Sequence, residues 1–479
     1  MSRWMRTTHM FTTHPWPRLA LVLVAMLVLA SPLGARAEGP AYLVKEIRPG
    51  PAWAANLLTD VNGTLFFVAD DGVHGYELWK SDGTAAGTVM VKDIQPSSGP
   101  SMPAYLTNIN GTVFFTADDG AHGPELWRSD GTADGTILVK DMQPGATGSQ
   151  PSQLMNANGT LFFAANDGIH GDELWRSNGT AAGTVLVKDI NPRALSSNVE
   201  ALTNVNGTLF FSAFTGTPRG GGTGRELWKS DGTARGTVLV KDINPRGRSS
   251  SPFRLTNVNG RLFFTADDGV NGTELWTSDG TAAGTVLVKN IDPDTGPYGG
   301  PLSLANVNGT LFFTANDQVH GIELWKSNGT SAGTVLVKDI AIGVDGSYPD
   351  YLTNVNGTLF FVANNIGQGN ELWKSDGTNA GTVLVKDIYP NPQFPGGPSN
   401  LANIDGTVYF SADDGVGGQE LWKSDGTEPG TVLVQDIAPG PDGSSPFYFT
   451  KSGRLLFFIA DDGTTGGEVW ALQLPGQTP

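Results

Sequence analysis

Glu77-Leu78-Trp79-Lys80-Ser81-Asp82-Gly83-Thr84 is followed, two residues on, by Gly87-Thr88-Val89-Met90-Val91-Lys92-Asp93-Ile94. This stretch decides the fold because it recurs. Its tryptophan reappears as Trp127, Trp175, Trp228, Trp276, Trp325, Trp373, Trp422 and Trp470, at steps of 48, 48, 53, 48, 49, 48, 49 and 48 residues. Nine of the 12 tryptophans therefore occupy one position of a repeat. A fixed period of this length means a solenoid, a propeller or an array.

The second copy shows what one unit is. Tyr105 to Asn110 reads as a short strand ending at Asn110-Gly111, a favoured two-residue hairpin turn because both central residues need positive φ. Thr112 to Ala117 follows, placing Val113, Phe115 and Ala117 on one face and Phe114 and Thr116 on the other. Large apolar groups on both faces require cover on both sides. After a loop from Asp118 to Pro124, Glu125 to Ser129 is a third strand, and Asp130-Gly131 opens a turn before a fourth strand, Ile137 to Met142. Four short strands per unit is the all-β pattern. Helices are nearly excluded, since the longest stretch without Gly or Pro after the N-terminal segment is Arg193 to Asn206, 14 residues.

Such a sheet must stack against copies of itself, which makes it a propeller blade. The ends of the chain predict closure. The last copy stops after Glu468-Val469-Trp470-Ala471-Leu472 without a fourth strand, and Leu43-Val44-Lys45-Glu46-Ile47 is a fourth strand with no blade before it. Joining them completes a ninth blade, whereas an open solenoid needs atypical polar caps. The expectation is an all-β, closed β-propeller of nine four-stranded blades over 38–475, with a short tail at 476–479.

The string Glu-Leu-Trp-Lys-Ser-Asp-Gly-Thr, at Glu77 to Thr84 and again at Glu371 to Thr378, resembles the bacterial ELWxxDGT repeat family. The resemblance covers all nine copies, with the ninth departing at Val469 and lacking Asp-Gly-Thr. It implies an exported, repeat-built bacterial surface or secreted protein, and it supplies no catalytic residues.

Composition and the N-terminus agree with export. Leu19 to Ala30 is an unbroken apolar run of 12 after several arginines, and Ala35-Arg36-Ala37 has the small-x-small pattern of a cleavage site. This predicts a secretory signal peptide over 1–37. The run covers only about 18 Å of a ~30 Å hydrocarbon core, and no later stretch is apolar enough to span one. The chain carries a net charge of −17. Residues 1–37 hold four arginines and no acid, so the remainder carries −21. Phosphate backbones would repel it, which argues against nucleic acid as a partner. The absence of cysteine excludes disulfides, thiolate metal sites and cysteine nucleophiles.

Candidate chemical groups follow the repeat. His74, His122, His170 and His320 share one loop position, which predicts loop bracing rather than catalysis. Glu125, Asp130 and Asp141 have equivalents around the ring, so no copy offers the out-of-phase carboxylate pair a glycosidase needs. Asp70-Asp71, Asp118-Asp119, Asp267-Asp268, Asp413-Asp414 and Asp461-Asp462 are oxygen-rich, but they lack the D-x-D-x-D-G spacing of calcium loops. Ordinary turns are the expectation there and calcium the alternative. The nine Asn-Gly-Thr triplets match a glycosylation sequon, and most are the hairpin turn itself.

Differences between copies mark where a partner would bind. The connections after each fourth strand vary and carry Trp53, Tyr105, Phe253, Tyr298, Tyr348, Tyr351, Tyr389, Phe394 and Phe447. These rings stack on sugars or grip a peptide, or else plug blade tops. Between Arg193 and Arg261, eight arginines (Arg193, Arg219, Arg225, Arg235, Arg246, Arg248, Arg254 and Arg261) join Lys229 and Lys241. They face only Glu200, Glu226, Asp231 and Asp242, an excess of six positive charges. A solvated face and a docking patch for an anionic partner, centred on Arg246, Arg248 and Arg254, are both open. The expected function is a secreted or cell-surface scaffold or adhesion protein that binds a protein or glycan through one propeller face. A propeller hydrolase or lyase acting on extracellular polysaccharide is the alternative.

Overall fold

The computed structural model describes residues 38–96, 99–192, 194–217, 221–292, 300–389 and 397–476. The expected signal peptide lies outside these residues, as do Tyr298, Phe394, Arg193 and Arg219. Glu38–Leu474 forms one compact unit that contains every strand. Among the described residues there is no helix, and hence none long and apolar enough to cross a membrane.

Nine four-stranded antiparallel sheets make a nine-bladed β-propeller. We number the blades in chain order from Ala55. Blade 1 has strands Ala55–Val61, Thr64–Asp70, Tyr76–Ser81 and Val89–Lys92, hydrogen-bonded in that order. The first strands of neighbouring blades adjoin one another around the whole circle, that of blade 9 meeting that of blade 1, so first strands line the axis. The first and second strands are joined by the expected turn: Asn62 and Gly63 both have positive φ, at 52° and 84°. Glycine suits the second position because φ near +85°, as at Gly63 and Gly111, is a conformation that side chains rarely adopt.

Closure follows the sequence expectation, with a shorter strand. Tyr42–Leu43 is the outermost strand of blade 9, in register Tyr42↔Ala471 and Leu43↔Trp470. Val44 adds a bond from its N–H to the Val469 carbonyl at 3.0 Å, and Val44 and Ile47 pass into the core against Leu65, Phe67 and Trp79 of blade 1.

Nine hydrophobic clusters fill the nine blade interfaces. Between blades 1 and 2, Val61, Phe66, Leu78, Val91 and Ile94 meet Val113, Phe115, Ala117 and Trp127. Phe114 of the same second strand turns the other way, into the interface with blade 3. The apolar groups on both faces of this strand are therefore satisfied by two different neighbours. All nine repeat tryptophans are buried.

The consensus lysine ties a blade to the next at eight of the nine interfaces. Lys140 Nζ donates to the Thr184 carbonyl at 2.9 Å and lies 5.7 Å from the centre of the Trp175 ring. Such a cation–π contact contributes about 0.5–2 kcal/mol depending on burial.

Candidate functional site

The strongest sequence signal, Ser-Asp-Gly-Thr-x-x-Gly-Thr, folds into a self-satisfied loop between third and fourth strands. Asp82 Oδ1 accepts from the backbone N–H and hydroxyl of Thr84, and Thr84 Oγ1 accepts from the Gly87 N–H. Thr88 Oγ1 donates to the Thr84 carbonyl and pairs with Ser81 Oγ at 2.7 Å. The Thr84 hydroxyl, with its backbone N–H, holds the Asp82 carboxyl below its ordinary range. These groups are consumed in shaping the turn.

The glutamate of Glu-Leu-Trp is wholly buried and clamps the opposite end of the blade. Glu226 accepts from the N–H of Ile243 at 2.8 Å, and from the N–H and hydroxyl of Ser250 at 2.9 and 2.5 Å. It thereby holds the connection from a fourth strand to the next blade. Burial pushes these carboxyls upward, to about 6 for Glu226 and about 7 for Glu173, Glu274, Glu371 and Glu468. Their hydrogen bonds oppose that shift without cancelling it.

On the same end, the Asp-Asp-Gly loops are turns. Asp71 Oδ1 accepts from the N–H groups of Val73 and His74, and Asp71 Oδ2 is 2.7 Å from His74 Nδ1. His122, His170 and His320 repeat this bond with Asp119, Asp167 and Asp317. Histidine is thus a loop brace. The Asp71 hydrogen bond raises the His74 pKa. Among the described residues, no group of three or more His, Asp or Glu is placed to hold a metal ion.

Variation also reaches the axis. Near its start, the first strand of every blade carries a bulge with one residue in the left-handed region: Leu57, Tyr105, Gln153, Ala201, Arg254, Ser303, Tyr351, Asn400 and Tyr448, with φ between 50° and 57°. Non-glycine residues adopt this conformation uncommonly, at a cost of about 1–3 kcal/mol. The backbone is the same nine times, and the side chains range from Ala to Arg to Tyr.

A cleft of about 590 Å³ opens beside this ring, along blades 2 and 3 and the connections that follow them. Tyr105, Gln143, Gln150, Asn166, Asp172, Ser196 and Asn198 are among its walls. Asp172 sits directly before the buried Glu173, pairs with Asn166 across the blade, and donates its backbone N–H to Ser196 Oγ at 3.0 Å. Its Oδ1 is buried with no hydrogen-bond partner. Burial first, then the nearby Glu200 charge, raise its pKa to about 6, while Arg225 pulls the other way. Sequence reading missed Asp172. A signal existed, because Tyr76, Pro124, Arg225, Thr273, Ile322, Asn370, Gln419 and Gly467 hold the same position in the other blades, and none of them is acidic.

The residues singled out from sequence fall into separate places. Trp53 is 45% exposed, lies over Gly467 at the ring closure, and stacks on Phe447 at 5.5 Å, which in turn meets Tyr448 at 4.9 Å. Tyr105 lines the cleft. Phe253 is covered by the Arg254 guanidinium at 5.2 Å, and Tyr348 and Tyr351 stand exposed at blade 7. The arginines do not form one patch. Arg246 and Arg248 are exposed on the blade 4 to blade 5 connection, and Arg254 is a bulge residue on the axis. Arg235, in a third-to-fourth-strand loop, and Arg261, just after a first hairpin turn, lie at the opposite end of the blades. Arg225 pairs with Glu200 at 3.3 Å.

Fold and site define a nine-bladed propeller with a chemically varied axial face. No protein-family model and no curated protein matches the chain. Among solved structures it is similar to a puromycin hydrolase, at 16% identity over 77% of this chain and 59% of that one, with a TM-score of 0.38. It is likewise similar to a prolyl endopeptidase, at 13% identity over 78% and 54% with a TM-score of 0.41. A third is a puromycin-hydrolyzing peptidase of Mycobacterium tuberculosis, at 11% identity over 76% and 60% with a TM-score of 0.39. The chain spans less than two thirds of each.

Proposed function

We propose that the chain is an exported binding protein, secreted or kept at the cell surface, that engages an extracellular protein or glycan through the axial face carrying the bulge residues. Membership of the ELWxxDGT repeat family belongs to the same proposal. The observation that carries it is the axial ring. One strained backbone geometry is kept nine times while its side chain, exposed at Tyr105, Gln153, Tyr351 and Tyr448 and half-buried in the other blades, changes from blade to blade. Strain held at a fixed place, with free choice of side chain, suits recognition better than packing. Two observations favour binding over hydrolysis. The aspartates of the Asp-Gly-Thr and Asp-Asp-Gly loops and the clamp glutamates are engaged by their own turns and connections, and the cleft beside the ring is walled by one carboxylate, Asp172, where glycoside hydrolysis uses two.

A glycan and peptide array probed with residues 38–479 tests this reading. Binding to one ligand class, lost when Tyr105, Tyr351 and Tyr448 are changed together to Ala, is the expected result. Absence of binding, or binding lost only on changes to the Ser-Asp-Gly-Thr end, overturns it.

A further inference from the structure

The cleft along blades 2 and 3 presents an acid, Asp172, at a repeat position that is not acidic in the other eight blades. Its volume of about 590 Å³ lies within the usual range of small-ligand sites. Its walls are amides, hydroxyls and two prolines, with one aromatic ring at Tyr105 and one carboxylate at Asp172. Asp172 belongs to no repeat consensus, and it is the acid that lines this cleft.

The occupant that matches these walls is a polyol. Vicinal hydroxyls are paired donors for a carboxylate and acceptors for amides, and the C–H face of a pyranose packs on an aromatic ring. A simple cation matches less well, because it would find one carboxylate with Arg225 acting against it. We propose that this cleft is a saccharide subsite in which Asp172 accepts from ring hydroxyls and Tyr105 supplies the stacking face. The inference rests on the axial face being a recognition surface.

Titration calorimetry of residues 38–479 with a panel of neutral hexose and hexosamine oligosaccharides tests it, together with the variants Asp172→Asn, Tyr105→Ala and, at the opposite end of the blades, Arg235→Ala. Asp172→Asn preserves shape, and melting temperatures confirm that each variant is folded. Expected is a rise in Kd of about tenfold or more for Asp172→Asn and Tyr105→Ala, with Arg235→Ala unchanged. Saccharide binding that ignores Asp172→Asn and Tyr105→Ala overturns the subsite and leaves the axial-face reading standing. So does binding of peptides alone. Absence of binding to every saccharide and peptide overturns both.

Discussion

Gln435 Oε1 accepts a 2.8 Å hydrogen bond from the backbone N–H of Ala41, a residue 394 positions away in sequence. At the equivalent position Lys45, Lys92, Lys140, Lys188, Lys241, Lys289, Lys338 and Lys386 each donate to a threonine carbonyl of the following blade. In blade 9 no Gly-Thr turn joins the third strand to Tyr42–Leu43, so a lysine in blade 8 would find no such acceptor. What stands there is the N-terminal segment, which offers an N–H donor. The change from donor to acceptor side chain marks the seam of the ring. Glu38 strengthens the seam by accepting from Tyr409 Oη at 2.5 Å and pairing with Lys423.

Replacing Gln435 with Lys removes the acceptor for Ala41 and adds an ammonium without its carbonyl. A loss of about 1–3 kcal/mol is expected, the cost of an unmet buried hydrogen bond, read as a shift in the denaturant midpoint. Deleting residues 38–48 goes further. It exposes the third strand of blade 9 as an edge and is expected to cause aggregation in light scattering. A truncated chain that melts unchanged would show that closure does not need this segment.

Trp276 packs with Val205, Phe210, Leu227, Val240 and Ile243 of blade 4. Trp276→Ala is expected to destabilise by about 3–5 kcal/mol in equilibrium unfolding. A cost under about 1 kcal/mol would contradict burial between blades.

Stability is expected to fall as pH rises from about 4.5 to above 7. Glu274, Glu371 and Glu468, pushed up from 4.5 to about 7 by burial, bind protons more tightly in the folded state than in the unfolded one. Their stabilising contribution is complete below the unfolded value and lost as pH climbs through the folded value. The raised histidines act in the same direction above 6.5. Asp82 and its equivalents, held below 3.8, oppose this only in stronger acid. A melting temperature higher at pH 8 than at pH 5 would reverse the prediction, and Glu274→Gln should flatten the slope.

In blade 5, Asn271 Nδ2 donates to Asp268 Oδ2 at 2.7 Å, in the place where other blades use histidine. His320→Asn should therefore leave both stability and ligand binding within error of the parent. A large loss of binding, with the fold intact, would give histidine a role beyond bracing the loop.

The period of the tryptophans, the Asn-Gly turns and the two-faced second strands were sufficient to define blade, blade number and closure. These features are local or repeat regularly, and a regular pattern is legible without coordinates. The structural duty of Asp82 and His74 was legible for the same reason, since a group copied around a ring cannot converge on one site. The seam was only half legible. Tyr409 in place of Phe and Gln435 in place of Lys are visible departures in the eighth copy, but their reason is a contact with residues almost 400 positions earlier. Tertiary structure alone decided the cleft. Tyr105 and Asp172 come from two successive blades, Gln150 and Asn198 from the connections that follow them, and the packing of blade on blade is what brings them to one wall. The excess of positive charge from Arg193 to Arg261, continuous along the chain, was divided between opposite ends of the blades because successive strands run in opposite directions.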